Sequence, residues 1–147
     1  MKEELLIAKL NMIADQIKHE DNLIGARTTW LVISQSFLFG AFVALVGQIG
    51  GVSAAAHLAK LLFIVIPLLG VLLPVLILLA MGAATYAIKQ WRVEIAQILE
   101  MPEAKELDWP RLKHWRLVTW LGNLLPVAAS VGFLLAWIVI MIKIGMV

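Results

Sequence analysis

The sequence predicts an all-α integral membrane protein with three transmembrane helices, amino terminus in and carboxyl terminus out. An amphipathic cytoplasmic helix precedes the first span, and the second span carries a cytoplasmic extension. Three observations predict this. Trp30–Ile49, Leu61–Ile88 and Leu117–Ile142 contain no Asp, Glu, Lys, Arg or His, and each reaches the roughly 20 residues that a helix needs to cross a bilayer's hydrocarbon. Lys2, Lys9, Lys18 and Arg27 precede the first block, and Lys89, Arg92, Lys105, Arg111, Lys113 and Arg116 lie between the second and third. Only Lys60 and Lys143 fall on the other side, and the positive-inside rule puts the basic side in the cytoplasm. Trp30, Trp91, Trp109, Trp115 and Trp120 gather near that same face as an interfacial belt would, leaving Trp137 alone on the far side.

Composition excludes several classes. Charged residues make up 15% of the 147-residue chain, against about a quarter in soluble domains. With a mean hydropathy of +0.93, too little polar sequence is left to wrap three uncharged helices in a water-soluble bundle. The chain has no cysteine, which removes disulfides and thiolate chemistry. A net charge of +2 gives no reason to expect nucleic acid, and the basic residues read as topology signals.

Residues 1–26 form the amphipathic helix, with Leu6, Leu10, Ile13, Ile17 and Ile24 on one stripe and mixed charges opposite. Charge throughout, and the lack of a compact apolar core, distinguish it from a secretory signal. A lipid-surface helix would show a more uniformly basic face, so this one is expected to pack on protein. Gly25 and Thr28–Thr29 lead into the first span, 28–49, which ends at a Gly50–Gly51 turn with Ser53 as a helix cap.

The second span, 61–88, would reach about 42 Å at 1.5 Å per residue, more than hydrocarbon requires. Pro67, Gly70 and Pro74 are expected to kink its outer half. Ile88, Trp91, Ile95 and Ile98 continue an apolar stripe to about residue 101, where it can meet that of the amino-terminal helix. An interfacial start at 109–116, with Asp108 as cap and Pro110 in the first turn, leads to the third span, 117–142, with a further kink at Pro126.

Two stripes carry the functional expectations. Thr29, Ser36, Gly40, Ala44 and Gly47 form a small-residue seam on the first span, which favours close helix packing in lipid. Gln35 on the first span, with Thr119, Asn123 and Ser130 on the third, is a set of candidate polar lining residues. Those groups either make interhelical hydrogen bonds or face a hydrated path.

No charge lies inside the spans, which argues against proton relays through buried carboxylates. His19, Glu20, Asp21, Glu94, Asp108 and His114 cluster by the cytoplasmic edge, and none has metal-ligand spacing. No metal or cofactor is expected. "DNLIGAR" (Asp21–Arg27) superficially matches the start of the CDP-alcohol phosphotransferase motif, but no acid follows before Glu94, so the metal-binding aspartates of that family are missing. "RTTWLVISQSFLF" (Arg27–Phe39) and "HWRLVTWLGNLLP" (His114–Pro126) resemble segments of small multi-pass bacterial inner-membrane proteins. The resemblance implies that location and no activity.

Three functions fit these features. A homo-oligomer could enclose an uncharged pore, since three helices alone seldom surround a cavity. A scaffold subunit would dock a cytoplasmic protein on the amino-terminal helix and the second helix's extension. A lipid-active enzyme at the cytoplasmic edge is the third. Membrane lipids surround the protein in every case.

Overall fold

The computed structural model describes residues 2–46, 54–104 and 115–145. These residues form helix α1 (Lys2–Val46), helix α2 (Ala54–Leu99), a 3₁₀ turn (Pro102–Ala104) and helix α3 (Trp115–Lys143). All three helices are long and apolar enough to cross a membrane, by length and composition.

The chain folds up, down and up again. α1 and α2, of 45 and 46 residues, run antiparallel in a hairpin of roughly 68 Å at 1.5 Å per residue. Three apolar layers hold it. Leu10 and Ile13 meet Ile98 at one end, with Leu6, Ile17, Trp91, Ile95 and Leu99 around them. Ile24 meets Met81, Ala84 and Ile88 in the middle. Leu38 and Phe42 meet Ile66 at the other end, where Trp137 of α3 joins them. α3 is shorter, at 29 residues, and runs parallel to α1 along its carboxyl-terminal half. Among the described helices only α1 and α2 build the layer around Leu10, a stalk with Lys9 Nζ paired to Glu94 Oε1 at 2.9 Å on its rim.

One element differs from the expected ones. The amino-terminal helix and the first span are one uninterrupted helix. Gly25 in a helix interior costs only about 1 kcal/mol relative to alanine, and the Thr28 and Thr29 hydroxyls donate back to the Ile24 and Gly25 carbonyls at 2.8 and 3.1 Å. No proline interrupts the run. α2 begins at Ala54, ahead of the expected span and where a cap at Ser53 predicts; Ala54–Ala56 are good helix formers, and Ser53 itself lies outside the described residues. α2 is helical through Pro67 and Pro74, and both prolines and Gly70 are buried.

Candidate functional site: a polar node between three helices

Among the described residues Gln35 and Ser130 are the buried polar side chains, and Gln35 lies on the face of α1 that also carries Leu31, Leu38 and Phe42. Its side chain is fully buried. The Nε2 atom donates to the Gly70 carbonyl of α2 at 3.3 Å, and Oε1 accepts from the indole Nε1 of Trp137 of α3 at 2.6 Å. One amide thus joins all three helices.

Backbone chemistry explains why Gly70 is the acceptor. In a helix its carbonyl would accept the N–H four residues on, at position 74. That residue is proline and has no N–H. A backbone carbonyl left unpaired in hydrocarbon costs several kcal/mol, and Gln35 supplies the donor that α2 lacks. The two bonds also set the amide's orientation. Rotated by half a turn, it would face donor to donor at Trp137 and acceptor to acceptor at Gly70.

Gly70 has a second role. A Cβ at this position would overlap the indole ring of Trp137, so α3 reaches the carbonyl's neighbourhood only because position 70 has no side chain. Trp137 is itself fully buried. Phe39 stacks on it with ring centroids 4.5 Å apart, and Phe42 meets it edge-on at 5.7 Å. Phe42 in turn stacks on Phe63 at 5.0 Å. Such pairs add about 0.5–1.5 kcal/mol each beyond area burial.

The small-residue seam lies elsewhere. Thr29, Ser36, Gly40 and Ala44 are exposed on the side of α1 away from Gln35, and a Cβ at Gly40 would meet nothing within 4 Å. Among the described residues Ser36, Gly40 and Ala44 stay exposed while Thr29 borders the groove between α1 and α3, and close approach is made at Gly70 instead. Gly47 lies outside the described residues. Ser36 bonds locally, its hydroxyl donating to Val32 at 2.8 Å.

The polar lining set divides in the same way. Gln35 is buried and makes interhelical bonds, one of the two roles left open by sequence. Ser130 is fully buried and donates to the Pro126 carbonyl of its own helix at 3.0 Å. Thr119 and Asn123 lie on α3, and their side chains are outside the described set. Pro126 is buried and α3 continues through it. Together with Gly122 and Leu125 it faces Gly25, Thr28, Thr29, Val32 and Ile33 across an open groove of about 430 Å³ between α3 and α1.

The stalk gathers the residues expected to pack there. Leu10, Ile13 and Ile98 are buried, and Leu6, Ile17, Trp91 and Ile95 are packed against them. Between the Leu10 layer and the Gln35 node, Arg27 Nη1 donates to the Ala80 carbonyl at 3.2 Å. His19, Asp21 and His57 are exposed, and Asp108 and His114 are outside the described residues. Among the described residues no three His, Asp or Glu side chains group as metal ligands would.

Sequence reading missed the place of Trp137 in this node, because a tryptophan near a span's end reads as an interfacial anchor. The usable signal was chemical. A buried indole N–H needs an acceptor, and Gln35 is the amide at matching depth. Comparison with known protein families, curated proteins and solved structures finds no match for this chain.

Proposed function

We propose that the chain is a small homo-oligomeric integral membrane protein of a bacterial inner membrane, amino terminus in the cytoplasm, whose subunits meet along the outer face of α1. One observation carries the reading. Ser36, Gly40 and Ala44 are exposed small residues on one face of α1, flanked by Phe37 and Val43 at 75% and 70% exposure. In lipid, helices gain little by hiding apolar surface and associate where small residues admit close backbone contact. A conducting path on this reading runs between subunits. Inside one subunit the Gln35 amide and the Ser130 hydroxyl are already committed to hydrogen bonds.

The test is the mass of the protein–detergent complex in mild detergent, with and without Gly40→Leu. A defined oligomer that the substitution reduces to monomer supports the reading, and a wild-type monomer overturns it. A reporter fused at Val147 tests orientation: activity on the cytoplasmic side contradicts the proposed topology. If subunits enclose a path, liposomes carrying the wild type pass small ions and those carrying Gly40→Leu do not.

The scaffold reading draws on a different observation. Leu5 and Met12 are 75% and 53% exposed on the side of α1 away from Leu10 and Ile13. A partner with an apolar helix face would cover them. Co-purification of a second protein, lost in Leu5→Glu/Met12→Glu, tests that reading.

A further inference from the structure

The stretch Pro67–Gly70–Pro74 of α2 places two prolines and a glycine within two helical turns, all buried toward α1 and α3. Pro67 withholds a donor from the Phe63 carbonyl and Pro74 from the Gly70 carbonyl. Helices bend sharply at prolines, and domains pivot at short segments of this kind. In α2 the weak point is bridged from outside, by the Gln35 amide on the Gly70 carbonyl at 3.3 Å. The amide is in turn held by Trp137 at 2.6 Å.

We propose that Gln35 is the latch of a hinge in α2. With its amide on the Gly70 carbonyl, the outer half of α2 is held against α1 and α3. With the amide withdrawn, that half pivots about the Pro67–Pro74 segment. The freed Gly70 carbonyl and Gln35 amide then need partners that hydrocarbon cannot supply, so the open form admits water to the depth of the node. The node is the point where the tilt of one helix is coupled to the other two, whether or not subunits associate.

The absence of native cysteine allows spin labels at two chosen positions only. Leu61 on the outer half of α2 and Val139 on α3 are 58% and 54% exposed, so Leu61→Cys/Val139→Cys disturbs neither the node nor the core. Labelled chain diluted with unlabelled chain reports distances within one subunit, by pulsed electron resonance. Leu61 lies about 14 Å from Gly70 along the helix. A bend of about 20° therefore moves the label by about 5 Å.

Gln35→Met is expected to shift or broaden the distance distribution by that amount. Adding Pro74→Ala restores a backbone N–H for the Gly70 carbonyl and is expected to return the distribution to the wild-type form. A Gln35→Met distribution identical to wild type overturns the latch. So does a broadened distribution that Pro74→Ala leaves broad, because the amide would then act through packing alone. Should Gln35→Met fail to fold, the double variant Gln35→Met/Pro74→Ala decides: a wild-type distribution supports the latch, and a broadened one overturns it.

Discussion

The indole N–H of Trp137 donates to the side-chain oxygen of Gln35 at 2.6 Å, across 102 positions of chain. Neither residue has another way to satisfy its buried polar atoms at that depth except through the partner helices. This places two donors and two acceptors, from three helices, in one closed arrangement. Packing and backbone chemistry agree there: the glycine that makes room for the indole also presents the carbonyl that a proline has left unpaired.

Gln35→Leu removes both bonds and strands the indole N–H and the Gly70 carbonyl. Losing a partner from a buried polar group costs about 1–3 kcal/mol. The midpoint of thermal unfolding in detergent, followed by tryptophan fluorescence, is expected to fall accordingly. A midpoint equal to wild type would mean that the two groups find other partners.

Among the described glycines, Gly70→Ala should be the most damaging substitution. The added methyl overlaps the Trp137 ring, and overpacking of this kind costs about 1–3 kcal/mol or more. Gly82 and Gly132, by contrast, have open space at the Cβ position. Alanine there is expected to be neutral or to stabilise by up to about 1 kcal/mol, through helix propensity. Equal losses at all three positions would contradict the close approach at Gly70.

Gly40→Leu tests the outer face of α1 separately from the fold. The site is open within the subunit, so secondary structure and the unfolding midpoint of the monomer are expected to be unchanged while the oligomer is lost. A variant that unfolds without dissociating would assign Gly40 a role inside the bundle.

In the stalk, apolar packing should outweigh charge. Leu10 is fully buried, and Leu10→Ala is expected to cost about 2–5 kcal/mol. Lys9 and Glu94 are half and more than one-third exposed, and Glu94→Gln should cost under about 1 kcal/mol. Limited proteolysis near residues 10–20 would rise sharply in the first variant and little in the second.

Much of this architecture was legible in the chain itself. Trp30–Ile49, Leu61–Ile88 and Leu117–Ile142 announced three apolar helices because length and lack of charge are properties of consecutive residues. The pairing of Leu10 and Ile13 with Ile98 followed from helical periodicity, since two amphipathic stripes joined by one long helix have few other places to be buried. What periodicity could not show is which neighbour each face meets. Gly40 and Gly70 look alike as letters in an oily run, yet one faces outward and the other holds an indole. Trp137 and Trp30 are both tryptophans near span ends, but Trp30 is 70% exposed and Trp137 is fully buried. Sequence by itself determined the helices and their apolar character, because these depend on local composition. Only the tertiary structure decided that Gln35, Gly70 and Trp137 meet, because a hydrogen bond needs atoms about 3 Å apart, and helix rotation and relative depth are set by all three helices packing at once.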